Sequence, residues 1–291
     1  MTISVTTLRA PLVGALAMVG AGAVFAGANT LVQLATMRMG AAPPVVAFGQ
    51  YLAATLLFLP WIAGQARGGG GTRRWGAHLM RVLLAALGVQ LWVAGLAYVP
   101  IWQAIALVMT SPVFVTLGAW ALLGEEVGPA RWGAVLAGLA GGAVVLAPWQ
   151  EAFQIQALLP LGAAALWAGV SLMTKRLSAT ESAETLTLWL LLGLVPVNAL
   201  VWGLEGGAMP GASVLALIAL AGALTAFAQY LIARAYGLAD AAFLQPFDHV
   251  KLLFNVGLGA AVFGFLPPGR LWIGAALIVG ASLMLVERER R

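Results

Sequence analysis

Five polar residues sit close together in an otherwise apolar run near the C-terminal end of the chain: Gln245, Asp248, His249, Lys251 and Asn255. Gln245, Asp248, Leu252, Asn255 and Gly259 are spaced three, four, three and four residues apart, which puts them on one face of a helix. An ionisable group at a helix centre in lipid costs about 2.5–3.5 kcal/mol on insertion scales, so that face must turn toward a solute path or a neighbouring helix. Two roles are open to Asp248 and Lys251. They could hold the ammonium and carboxylate of a zwitterion, or neutralise each other at i,i+3 and join helices. His249 likewise reads as a proton-coupling group beside Asp248 or as a packing residue. Pro246 removes a backbone donor and can kink its helix, and with Pro112 it forms a pair of candidate hinges.

Elsewhere the polar residues inside apolar runs are neutral and have aromatic neighbours. Asn29 and Gln33 are four apart, Gln90 precedes Trp92, Trp102 and Gln103 are adjacent with Thr110 beyond them, and Gln229 adjoins Tyr230. Amides, hydroxyls and indoles with few net charges suit a neutral or zwitterionic small solute better than an anionic one. The substrate-binding set read from the sequence is therefore Asn29, Gln90, Trp92, Trp102, Gln103, Tyr230, Gln245, Asp248 and Lys251. Each Trp has a second reading, as an interfacial anchor or packing residue. Catalytic and metal-binding residues are not expected. The chain has no Cys, only two His (His78 and His249) and no intramembrane acid pair, so no metal or cofactor is assigned. A membrane enzyme acting on lipids or prenyl groups, or a channel, is the alternative. No GxxxxGK[ST] loop is present, which argues against ATP-driven pumping.

The elements that must position these residues follow from composition. Of 291 residues, 62% are hydrophobic and 9% charged, where soluble domains carry roughly 25% charge, so a water-soluble domain, a disordered chain and a coiled coil are all excluded. A bilayer core needs roughly 20 apolar residues per helix. Charged, Gly-rich and Pro-containing breaks divide the chain into ten runs, 11–36, 43–63, 79–98, 100–123, 129–148, 157–176, 183–203, 213–235, 240–265 and 269–286. The first is read as a span and not a cleaved signal, because it reaches Thr36. With a cytoplasmic N-terminus, Arg9, Arg67, Arg73, Arg74, Arg81, Arg131, Lys175, Arg176, Arg234, Arg288, Arg290 and Arg291 fall inside, and Arg38 and Arg270 outside. The positive-inside rule thus places both termini in the cytoplasm and accounts for the net charge of +5 without a nucleic-acid partner. A composition rich in Ala, Gly, Leu and Arg and poor in Lys points to a bacterial inner membrane.

The two halves of the chain resemble each other. Phe25-Ala26-Gly27 matches Trp167-Ala168-Gly169 at an offset of 142, Ala97-Tyr98 matches Ala235-Tyr236 at 138, and Gly133-Ala134-Val135-Leu136 matches Gly274-Ala275-Ala276-Leu277 at 141. Five spans per half is an odd number, so the second half enters the membrane from the opposite side. The expected fold is all-α and integral to the membrane: ten transmembrane helices in two five-helix inverted-topology repeats, residues 1–148 and 149–291. Such repeats underlie alternating access in secondary transporters.

Phe25-Ala26-Gly27-Ala28-Asn29, Ser111-Pro112-Val113-Phe114, Leu123-Gly124-Glu125 and Gly274-Ala275-Ala276-Leu277-Ile278-Val279-Gly280 resemble motifs of the drug/metabolite transporter superfamily, EamA type. The resemblance covers residues 11–286. It departs at Gln50, where many members carry Arg, at Phe265, where Glu is expected, and at Val250, the repeat position of Pro112. Within the family the chain is most similar to the YddG branch. That resemblance implies export of aromatic and other neutral amino acids by alternating access, or alternatively of other metabolites or drugs carried by the same superfamily, with a small-molecule substrate and the lipid bilayer as partners.

Overall fold

The computed structural model describes residues 5–67, 72–124, 126–151, 153–239 and 241–289. Gly68–Gly71, Glu125, Arg290 and Arg291 lie outside the described residues, as do the side chains of Arg9, Arg67, Gln245 and Arg288. All regular structure among the described residues is helical.

In chain order the helices are α1 (Val5–Gln33), prolonged by one π-helical turn (Leu34–Arg38), α2 (Pro43–Leu57), α3 (Leu59–Arg67), α4 (Trp75–Tyr98), α5 (Ile101–Val108), α6 (Ser111–Leu123) and α7 (Pro129–Leu146). A 3-10 turn (Ile155–Ala157) leads to α8 (Leu158–Ser178), α9 (Ala183–Leu204), α10 (Ala212–Tyr236), α11 (Ala241–Asp248), α12 (Lys251–Phe263) and α13 (Gly269–Glu289). Proline in the first turn opens α2, α6 and α7, where its missing N–H costs no helix bond. Gly124 and Gly264, at φ 68° and 72°, close α6 and α12 in the left-handed conformation that glycine adopts without strain. The Ser182 side chain caps α9 by accepting from the Thr185 N–H at 3.2 Å.

Among the described residues, seven helical segments are long and apolar enough to cross a membrane: Pro11–Arg38, Trp75–Tyr98, Ile101–Leu122, Pro129–Leu146, Ile155–Ser178, Thr185–Leu204 and Ala212–Ala235. Pro43–Leu57 and Gly269–Leu285 are shorter apolar helices. Three runs that read as continuous in the sequence are interrupted. Run 43–63 breaks at Phe58, run 100–123 at Met109–Thr110 and run 240–265 at His249–Val250. The middle break has a simple cause: Pro112 has no N–H to offer the Val108 carbonyl, and the chain tightens so that the Thr110 N–H and hydroxyl both reach Leu107 O, at 3.1 and 2.6 Å. At the last break, Pro246 lies inside α11, and the interruption comes three residues later with bonds to the third preceding residue, Leu252 N–H to His249 O at 3.2 Å and Leu253 N–H to Val250 O at 3.0 Å.

The helices form one bundle. α1 lies along α10, α4 along α8 and α7 along α13, while α2 sits against both α9 and α10 and α12 packs on α1. Small residues permit the closest of these approaches. A Cβ on Gly274 would lie 2.8 Å from Gly141 O, and one on Gly141 would lie 2.7 Å from Gly274 O, so α7 and α13 meet backbone to backbone. The core around Val93, Leu96, Ile101, Ala104 and Leu107 is drawn from α4 and α5, with Val32, Val46 and Ile278 closing it from α1, α2 and α13. Leu12, Leu16, Leu56, Leu57, Leu122, Leu200 and Leu204 are exposed on the outside, as expected of a surface solvated by lipid.

Candidate functional site

Neutral amides join helices through the middle of the bundle. Asn29 of α1 donates through Nδ2 to Asn255 Oδ1 on α12 at 3.2 Å, and Asn255 Nδ2 donates in turn to Lys251 O at 2.7 Å. Gln33, one turn above Asn29, donates to Leu96 O at 3.1 Å and Val99 O at 2.8 Å, which satisfies carbonyls at the end of α4. Gln50 on α2 donates to Thr225 Oγ1 on α10 at 2.9 Å, and Gln90 on α4 donates to Asn198 Oδ1 on α9 at 2.7 Å. Gln50, the position where the family resemblance led us to expect Arg, is thus satisfied by a neutral hydroxyl.

The charged group of the ninth run is local. Lys251 Nζ and Asp248 Oδ2 are 2.7 Å apart, each side chain about a quarter exposed, so the two form the i,i+3 pair that the sequence left as one of two readings. The start of α12 is pressed against α1, where a Cβ on Gly22 would lie 3.0 Å from Lys251 Cβ. Next to the pair, both ring nitrogens of His249 are buried without a hydrogen-bond partner. Pro112 and Pro246 each stand within three residues of a helix break, in the first turn of α6 and inside α11.

Trp92 and Trp102 are both buried in the core, and the Trp92 ring lies 6.2 Å from that of Trp167 on α8. Trp102 and Gln103 line a cavity of about 210 Å³ where α4 ends and α5 begins, together with Val99, Pro100, Leu146, Ala147, Gln150, Phe153, Gln154 and Arg270. The lining has two aromatic rings, three amides and one cation, and the Arg270 guanidinium donates to Gln150 Oε1. Gln103 leans toward Val145 O at 3.4 Å. A larger open groove of about 480 Å³ at the α6–α7 turn, lined by Trp120, Gly124, Glu126, Val127 and Gly128, contains none of the substrate-binding, coupling or hinge residues read from the sequence.

Tyr230 stands apart from the rest. It is 50% exposed on the outer face of α10 and stacks on Phe227 at 6.5 Å. The buried stripe of α10 is Val214, Ile218, Ala221, Thr225 and Ala228, spaced four, three, four and three. Two residues beyond Ala228 is a turn of about 200°, which carries Tyr230 to the far side of the helix. The small residues Ala221, Gly222 and Ala228 are the signal in the sequence that identifies the packed side.

A second polar cluster lies at the other end of α4, a 24-residue helix about 36 Å long. His78 and Arg81 are each only 2% exposed. His78 Nε2 is 2.5 Å from Glu181 Oε2, in the loop between α8 and α9, and the Thr72 hydroxyl donates to Glu181 Oε1. Arg81 donates to Thr174 Oγ1 at 3.2 Å on α8 and to Leu186 O on α9. Trp189 closes over the cluster, 4.3 Å from Trp75 and 5.9 Å from the His78 ring. Desolvation opposes the Glu181 carboxylate, but hydrogen bonds from Thr72 and His78 and the charges of His78 and Arg74 outweigh it and hold its carboxyl below the usual range. The basic residues here read in the sequence only as a topology signal. The pairing of His78 with Glu181, 103 residues away, has no local sequence signature. Among the described residues no group of three His, Cys, Asp or Glu could hold a metal ion.

Residues 12–147 match the EamA-like transporter family. Over 279 residues the chain is 50% identical to a riboflavin transporter of Rhizobium johnstonii, spanning 96% of this chain and 92% of that protein. This chain is an EamA-like transporter. The same EamA-like transporter is 47% identical over 284 residues to a riboflavin transporter of Vibrio cholerae, spanning 97% of this chain and 95% of the relative. It is 24% identical over 246 residues to an S-adenosylmethionine uptake transporter of Rickettsia prowazekii, spanning 84% and 83%. A crystal structure 19% identical in sequence superposes with a TM-score of 0.57 over 92% of this chain and 99% of its own, a likeness of fold. The EamA-like transporter is a multi-pass membrane protein and not an enzyme. The expectation of aromatic amino-acid export finds no support in these relatives, whose names specify riboflavin and S-adenosylmethionine. Amides beside indoles serve either kind of neutral aromatic solute, so residue types alone did not separate them.

Proposed function

We propose that this EamA-like transporter moves riboflavin, or a closely similar neutral flavin, across a bacterial inner membrane by alternating access. In this reading residues 1–148 and 149–291 are two inverted five-helix repeats with both termini in the cytoplasm. The observation that carries the substrate is the likeness, 50% and 47% identical over nearly the whole chain, to two riboflavin transporters. The site chemistry agrees with it. Riboflavin joins a flat heteroaromatic ring, with an imide edge that donates and accepts hydrogen bonds, to an uncharged polyol. Trp102 and Phe153 offer ring faces, and Gln103, Gln150 and Gln154 offer amides for the edge and the hydroxyls. Asn29, Gln90 and the Asp248–Lys251 pair extend a polar path with little net charge toward the middle of the bundle. Ligand pockets for molecules of this size run from about 300 to 1,000 Å³, so a cavity of about 210 Å³ must widen to admit one.

The packing supports the repeat. α1 on α10 corresponds to α8 on α4 when the halves are exchanged, α7 on α13 corresponds to itself, and the breaks at Met109–Thr110 and His249–Val250 are 140 residues apart. The test is flux in proteoliposomes holding the purified transporter, read by riboflavin fluorescence, with tryptophan and phenylalanine as competitors. Saturable riboflavin flux that neither amino acid inhibits is expected. Folded protein that carries no riboflavin overturns the substrate assignment, and inhibition by tryptophan returns the amino-acid reading.

A further inference from the structure

We propose that Thr72, His78, Arg81 and Glu181 form the cytoplasmic gate of this carrier, and that their presence at only one end makes the cytoplasm-closed arrangement the resting one. The inference rests on the alternating-access reading above. A carrier of that kind must break contacts between its two repeats at one face while keeping them at the other. Four side-chain bonds of this cluster join the repeats: Thr72, His78 and Arg81 belong to the first, and Thr174, Glu181 and Leu186 O to the second. The flanking Arg73, Arg74, Lys175 and Arg176 mark this end as cytoplasmic by the positive-inside rule. The bonds are also of a kind that can open. A buried imidazole–carboxylate bond and a guanidinium on a helix carbonyl exchange these partners for water when the end parts, whereas in the closed state they are shielded and charge-assisted.

The comparison of the two repeats makes the cluster more than a helix joint. Had both repeats carried it, an inverted pair would present the same clasp at each face and neither arrangement would be preferred. Over the whole range of offsets between the repeats, 138 to 142, the counterparts of His78 are Ala216, Leu217, Ile218, Ala219 and Leu220, and those of Arg81 are Ala219, Leu220, Ala221, Gly222 and Ala223. The counterparts of Glu181 are Met39, Gly40, Ala41, Ala42 and Pro43. None of them can form an ion pair. The far end has aromatic contacts between the repeats in place of this clasp, Phe48 stacked on Trp202 at 5.1 Å and the Arg38 guanidinium 5.1 Å from the centroid of the Phe263 ring, and the cavity between Trp102, Gln150 and Gln154 lies at that end.

The chain has no cysteine, so one introduced thiol reports the gate alone. Ala85, one turn beyond Arg81, is buried against Leu194 and Val170. In inside-out vesicles, an Ala85→Cys thiol is expected to react slowly with a membrane-impermeant maleimide. Glu181→Gln or Arg81→Gln in that background should speed labelling about tenfold, the equilibrium shift of one lost charge-assisted hydrogen bond. Unchanged labelling in both variants overturns the proposal, as does faster labelling from the periplasmic face only. A second measurement does not depend on weakening the fold. Thr72→Cys with Glu181→Cys, oxidised to a disulfide, should stop riboflavin flux and recover it on reduction, and undiminished flux in the cross-linked protein overturns the gate. If the parent protein carries no riboflavin, the substrate assignment fails and the labelling ratio still decides the gate.

Discussion

Replacing Gln90 with Leu separates two roles for the same amide, a ligand for the solute or a fastener between α4 and α9. Gln90 Nε2 donates to Asn198 Oδ1 at 2.7 Å, and Asn198 is fully buried, its own Nδ2 committed to Leu194 O at 2.8 Å. Gln90→Leu therefore leaves a buried carbonyl without a donor, which costs about 1–3 kcal/mol in proteins generally. Interhelical hydrogen bonds within membranes measure less, about 0.6 kcal/mol on average and about 1.7 at most, because the reference state in lipid also finds partners. We expect Gln90→Leu and Asn198→Leu each to destabilise by about 1 kcal/mol, and the double variant to cost less than their sum by about 0.6–1.7 kcal/mol. Unfolding by SDS in mixed micelles, followed by far-UV circular dichroism, measures all four corners of the cycle. Riboflavin flux should fall alike in the two single variants and recover in the double one. A coupling energy of zero refutes the fastener. Loss of flux in Gln90→Leu alone, with stability unchanged, makes Gln90 a ligand.

Three further outcomes follow from the geometry. Phe153→Leu should raise the KM for riboflavin about threefold to tenfold and leave kcat nearly unchanged, the worth of one aromatic stacking contact at about 0.5–1.5 kcal/mol; equal KM values in the flux assay would show that the ring does not meet the solute. Gly274→Val forces α7 from α13 and should cost on the order of 2 kcal/mol, as overpacked cores do, while Gly280→Ala, whose Cβ would meet nothing within 4 Å, should be neutral or stabilising in the same unfolding titration. Because the Glu181 carboxyl is held below its usual range in the folded state, the unfolded chain takes up its proton first; its stabilising contribution is complete above about pH 4.3 and disappears as the pH falls through the lowered value. Glu181→Gln should flatten that acid limb, and parallel stability profiles of the two proteins between about pH 6 and 3 would contradict it.

Much of the architecture is already implied by the order of residues. Lipid offers no partners to backbone N–H and C=O groups, so each crossing must be a self-satisfied helix of a set length, and hydropathy with Pro, Gly and charge at the breaks locates the helices. Of the small residues that let α7 meet α13, Gly274 lies in a stretch through which the family resemblance is recognised, and Gly141 is brought to it by the packing. The Asp248–Lys251 pair is also local, two residues three apart that meet across the short turn joining α11 to α12.

What the sequence does not contain is the choice of partner across the bundle. Asn29 meets Asn255 from 226 residues away, Gln50 meets Thr225 and His78 meets Glu181, and nothing near any of these residues encodes the other. That choice is made by which helix faces pack together. It explains why Tyr230, polar and aromatic in the sequence, turns outward with the lipid side of α10, and why Gln150 and Gln154, which fall between the runs 129–148 and 157–176, end up beside Trp102. Helix periodicity and solvation by lipid are properties of consecutive residues, and the sequence alone carries them. A cavity, a clasp and their one-sidedness depend on residues brought together only when the bundle closes.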